Sequence, residues 1–149
     1  QVIRLTMLQR KIVLGACVLW STQSVAADNQ LKMNTDRAKF NYQMFCQGCH
    51  TPDGTGGKSV PKIKDHIGYF LQNQVAREYL VRVPGSANSS LNDEQLAEVL
   101  NWMILELGGK SVPTKMKYFT TKEVGNLRQA PLFEVVEYRE KLVQQLSVN

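Results

Sequence analysis

The sequence predicts an all-α fold, and three segments carry that expectation. Residues 36–45, 90–105 and 132–146 each place apolar side chains at helical rather than alternating spacing. The first two also begin with residues that cap helices, Asn34 and Thr35 before one, Ser90, Asn92 and Asp93 before the other. A chain of 149 residues with 43% hydrophobic and 21% charged residues suits one globular domain with a modest core.

Residues 1–27 read as a unit apart from that domain. The basic pair Arg10-Lys11 precedes the apolar run Ile12-Val13-Leu14-Gly15-Ala16-Cys17-Val18-Leu19-Trp20, and Val25-Ala26-Ala27 supplies small residues. This order is that of a secretory signal peptide, with cleavage expected after Ala27. The apolar run falls short of the roughly 20 residues that span a bilayer, so no transmembrane anchor is expected. Met7, just ahead of the basic pair, is the natural start, with residues 1–6 translated from upstream. A lipoprotein reading of Leu14-Gly15-Ala16-Cys17 stays open as the alternative. Removing Arg4, Arg10 and Lys11 with the leader reduces the formal charge from +5 to +2, which gives nucleic-acid binding no support. Export also leaves Cys46 and Cys49 as the cysteines of the mature chain.

The first predicted helix, residues 36–45, starts with Asp36 in its opening turn, where a carboxylate complements the helix dipole. It runs directly into Cys46-Gln47-Gly48-Cys49-His50. C-x-x-C-H is the attachment signature of haem c: two thiols add to two vinyl groups, and the adjacent histidine supplies an axial nitrogen to the iron. A thioredoxin-type redox pair would open a helix after a strand, whereas this pair closes a helical pattern. A structural zinc site needs four ligands, and beyond these residues the mature chain offers only His66 among its cysteines and histidines.

The motif with its flanking helices resembles the class I c-type cytochromes. Tyr42, four residues before the first motif cysteine, and Ala38, eight before it, occupy the family's aromatic and small-residue positions, Ala38 in place of the usual glycine. The resemblance implies a cytochrome c-like helical domain enclosing one covalent haem with its iron, held through Cys46, Cys49 and His50. The core would occupy residues 28–109 and a C-terminal helical extension residues 110–149.

After the motif, Thr51-Pro52-Asp53-Gly54-Thr55-Gly56-Gly57 is a glycine-rich loop suited to close backbone approach. The family resemblance implies that Pro61, eleven residues beyond His50, offers its carbonyl to the second ring nitrogen of that histidine. Such a contact orients a ligating imidazole and raises its basicity. The resemblance also makes residues 90–105 the last core helix, with Trp102 packed on Tyr42 and Ala38 and counted among the haem-enclosing residues.

The sixth iron ligand departs from the family pattern. Relatives carry a distal methionine in the loop before the last core helix, but residues 79–89, read as that loop, hold neither Met nor His. Met103 is the preferred substitute, with Met116, His66 and an open position as alternatives. A Met–His iron raises the potential and favours outer-sphere electron transfer. An open position would instead suit a haem enzyme or a gas- or peroxide-binding protein.

In the extension, residues 120–128 read as a short capped helix and Ala130-Pro131 as a break. Leu132, Val135, Val136, Leu142, Val143 and Leu146 then form an apolar stripe. That stripe either packs on the core or docks a partner. Lys58, Lys62 and Lys64, with Lys110, Lys115, Lys117 and Lys122, make two basic clusters that would steer acidic redox partners. The combined expectation is a periplasmic electron carrier, not an enzyme, serving a dehydrogenase, oxidase or respiratory complex.

Overall fold

The computed structural model describes residues 33–146, so the leader assigned to residues 1–27 lies outside them. Helix α1, Thr35–Phe45, begins where the Asn34 side chain accepts the Arg37 amide at 3.0 Å. One residue later the short helix α2, Gln47–His50, carries the motif. A 3₁₀ turn, Ile67–Leu71, leads to α3, Gln74–Arg82, and the single turn α4, Pro84–Ala87. The long helix α5, Asp93–Leu107, is followed by a 3₁₀ turn at Gly109–Ser111, then α6, Thr121–Leu127, and α7, Val135–Gln145. Among the described residues no β-strand forms; Gly57 and Val60 make an isolated bridge.

Helix α5 organises the domain because three of its faces meet three different neighbours. Asn92 and Gln95 close a capping box at its start, an arrangement worth about 1 kcal/mol. Glu98 and Trp102, four residues apart, face α1: the Glu98 carboxylate accepts from the Arg37 guanidinium at 2.7 Å and from the Asn34 amide at 2.9 Å, and Trp102 lies 5.1 Å from the Tyr42 ring. Ala38, fully buried, belongs to the same core cluster. Asn101 turns to the extension, exchanging two hydrogen bonds with the backbone of Phe119 at 2.8 and 3.0 Å. Leu100 and Met103 form the third face, over a cavity described below.

The extension is built into the core. Phe119 and Val124 are fully buried, and Leu142 and Leu146 join the same apolar cluster. The buried Arg77 of α3 stacks over Phe119 at 3.7 Å, clamps Glu123 through two hydrogen bonds of 2.7 and 2.9 Å, and donates to the Lys117 carbonyl at 2.8 Å. Arg128 reaches back to the carbonyls of Ala87, Ser89 and Leu91. Tyr138 of α7 stacks on Tyr79 at 6.1 Å.

Two sequence expectations are corrected here, and one open alternative is resolved. Residues 79–89 are not a loop: Tyr79–Arg82 close α3 and Pro84–Ala87 form α4, because Asn73 caps α3 and Pro84 stands at the first position of the next turn, where a missing amide hydrogen is harmless. The stripe of α7 is turned to the core rather than presented for docking; of its members only Val136 is well exposed. Its helix also starts at Val135, after residues 132–134.

Candidate functional site

A cavity of about 250 Å³ lies between α3, α5, α7 and the segment that follows the motif. His50 and Pro61 lie on one part of its lining and Leu100 and Met103 of α5 on another, with Phe70 and Leu80 among the apolar walls. His50 reaches it because α1 ends at Phe45 and the Cys46 amide still bonds the Tyr42 carbonyl at 2.9 Å, so the chain coils straight on into α2. The Tyr42 hydroxyl donates to the Thr51 carbonyl at 2.6 Å and pins the exit of that turn.

The histidine is oriented from behind. Its Nδ1 lies 3.2 Å from the Pro61 carbonyl oxygen. A carbonyl can only accept, so Nδ1 carries the proton and Nε2 is left as the free nitrogen donor. Burial holds the His50 pKa below its ordinary value, against the opposing pull of the Pro61 carbonyl. The ring is therefore neutral at pH 7, the state that binds a metal. Burial also pushes the Cys46 thiol up to about 11, with the neighbouring Cys49 adding to the effect.

The loop that delivers Pro61 depends on glycine at one place above all. Gly56 has φ +74°, and a Cβ there would stand 2.5 Å from the Val60 carbonyl oxygen. Thr51, Asp53 and Thr55 knit the same loop by side-chain hydrogen bonds of 2.8 and 3.0 Å. Asp53 is held well below the usual carboxylate range, chiefly by the Thr55 hydroxyl and then by Lys64.

The structure sorts the residues singled out by sequence. His50, Pro61 and Met103 share the cavity. Cys46 and Cys49 are free thiols on the turn bearing His50, half-buried and exposed, and neither lines the cavity. Trp102 is not on the lining either, because successive residues of a helix are rotated by about 100° and its side chain belongs to the α1 face. It supports the site through Tyr42. His66 packs edge-on against Tyr69 and Phe70, and Met116 packs on the outer core; both are absent from the lining. Among the cavity residues that the sequence reading did not assign to the site are two from the extension. Val135 and Arg139, four apart on α7, line it from the extension, and nothing in their local sequence signals this.

A neutral imidazole nitrogen and a thioether sulfur on one apolar cavity form the donor pair that Met–His haem iron takes. Two thiols stand within one turn of that imidazole. The residues present thus fit a covalent haem. Among the described residues no three His, Cys, Asp or Glu side chains gather in a way that would hold a free metal ion.

Two cytochromes c-552 of Thermus thermophilus are each 31% identical to the chain over 128 residues. Those alignments cover 72% of this chain and 96% and 85% of the respective relatives. No family model and no solved structure matches the chain.

Proposed function

Because the chain belongs to the class I c-type cytochromes, haem c proteins that transfer electrons, we propose that it shuttles single electrons in the periplasm between a dehydrogenase or respiratory complex and an acceptor. In this reading Cys46 and Cys49 would hold the haem by thioethers, and His50 and Met103 would offer its iron a nitrogen and a sulfur donor. The observation that carries it is the shared cavity of His50 and Met103, with His50 Nδ1 engaged by Pro61.

Haem c supplies a one-electron iron couple when bound. The residues do the rest. Pro61 fixes the imidazole plane and strengthens Nε2 as a donor. A thioether donor such as Met103 would favour the reduced iron and leave no position for substrate. Apolar Ile63, Ile67, Phe70, Leu80 and Leu100 exclude water, so little reorganisation accompanies a change of charge. Partners would be reached through the lysines, since Lys58, Lys62, Lys110, Lys115, Lys117 and Lys122 are all exposed, whereas Lys64 is paired with Asp53 at 3.1 Å. A periplasmic location rests on the leader-like residues 1–27; among the described residues no helix is long and apolar enough to cross a membrane.

The test is the absorbance spectrum of the reduced holoprotein with and without carbon monoxide. An unchanged spectrum supports a closed carrier. Prompt carbon monoxide binding contradicts it and favours an open-iron sensor or peroxidase.

A further inference from the structure

Helix α7 contributes a cation to a cavity whose other walls are almost wholly apolar. Arg139 lines the cavity together with Lys62, and both side chains act electrostatically on the same group, holding the His66 pKa below its ordinary value alongside burial. Arg139 lies over Phe70, which belongs to the turn Ile67–Leu71 and lines the same cavity. Arg139 is set apart from the other described arginines. Arg37, Arg77, Arg82 and Arg128 each donate to carboxylates or carbonyls. Arg139 has no carboxylate or carbonyl acceptor among the described residues; its recorded contact is the Phe70 ring, 5.7 Å from the guanidinium carbon. A half-buried guanidinium turned to an apolar cavity with no acceptor is costly unless an anion meets it.

We propose that Arg139 pairs with a carboxylate of the bound haem, one of its two propionates, so that the C-terminal extension supplies part of the haem site. The inference rests on the reading that haem c fills this cavity. A planar guanidinium can meet a carboxylate through two parallel hydrogen bonds, and α7 is held for that purpose by Tyr138 on Tyr79 and by buried Leu142. Arg139 would act as a positioning residue: it neutralises negative charge beside the iron and thereby favours the reduced state. The extension would then influence the potential of the carrier as well as its stability.

The test compares midpoint potentials of purified holoprotein carrying Arg139→Gln, Arg139→Lys or Lys141→Gln. Lys141 lies on the same helix, pairs with Glu137 at 2.7 Å and is well exposed, so its loss removes the same formal charge away from the cavity. Covalent haem content is measured first by the haemochrome spectrum, which tests the underlying reading separately. Haem absent from the wild-type protein overturns that reading and this one with it. With haem present, Arg139→Gln should lower the reduced-to-oxidised ratio at fixed ambient potential about threefold, equivalent to about 28 mV for one electron. Arg139→Lys should restore most of the ratio, and Lys141→Gln should leave it unchanged. A potential that moves equally in Arg139→Gln and Lys141→Gln, or in neither, overturns the proposal. Should Arg139→Gln not retain its fold, Arg139→Lys decides: a small fall below wild type supports the proposal, because a bidentate contact is not fully replaced by an ammonium, and no change at all overturns it.

Discussion

Replacing Arg77 by methionine tests how the extension is fastened. Arg77 is 4% exposed and makes three hydrogen bonds, two to Glu123 and one to the Lys117 carbonyl, while its guanidinium stacks on Phe119. Methionine fills most of the volume but leaves a carboxylate and a carbonyl without their donor. Breaking a buried pair from one side costs about 3–5 kcal/mol. Glu123 keeps a side-chain exposure of 16% and can turn partly to water, which places the expected loss near the lower bound, about 3 kcal/mol. That is a large share of the roughly 5–15 kcal/mol typical of a domain. Urea unfolding followed by helical circular dichroism reads the change as a lower midpoint at unchanged slope. The double variant Arg77→Met with Glu123→Leu should recover at least about 2 kcal/mol, since an apolar pair leaves no orphaned charge. A single-variant loss below about 1 kcal/mol, or a double variant no better than the single, refutes this account.

Other expectations follow from the same geometry. Gly56→Ala puts a Cβ against the Val60 carbonyl at positive φ and should cost about 1–3 kcal/mol in thermal or urea unfolding, with a perturbed haem spectrum because the loop delivers Pro61. Asn92→Ala removes the α5 capping box and should cost about 1 kcal/mol without changing the absorbance spectrum. Glu123 is half-buried, which alone would raise its pKa, yet Arg77 and its other donors hold it below the usual value of 4.5. Its contribution is therefore full above the unfolded value and is lost as pH falls through the folded one. Acid titration of stability should show that loss below about pH 4.5 in the wild type, and a smaller loss in Glu123→Gln.

Local signals account for what sequence reading recovered. Caps and apolar period located α1, α5 and α6 to within a few residues, because Asn34, Asn92 and Thr120 each cap a helix through a side-chain oxygen. The family resemblance implied that Pro61 offers its carbonyl to His50, a contact now seen at 3.2 Å. Helix α3 was legible in principle, since Asn73 precedes Ala76, Tyr79, Leu80 and Val83 at helical spacing, but Pro84-Gly85 made the whole stretch resemble a loop. The expected packing of Trp102 on Tyr42 is seen at 5.1 Å, while its side chain does not join the cavity lining. The pairing of Arg77 with Glu123, 46 residues away, and the arrival of Arg139 at the cavity have no local signature. Both depend on where the extension lands, which is settled by burial of Phe119, Val124 and Leu142 rather than by any spacing rule.

The central claim is a carrier in which His50 and Met103 would be the two protein donors to the haem iron. It is tested most directly by the far-red sulfur-to-iron charge-transfer band of the oxidised holoprotein, in wild type and in Met103→Leu, a substitution that preserves most of the side-chain volume. The account predicts the band in the wild type and its loss in Met103→Leu, together with new carbon monoxide binding by the reduced variant. A band that survives Met103→Leu, or is missing from the wild type, would contradict it.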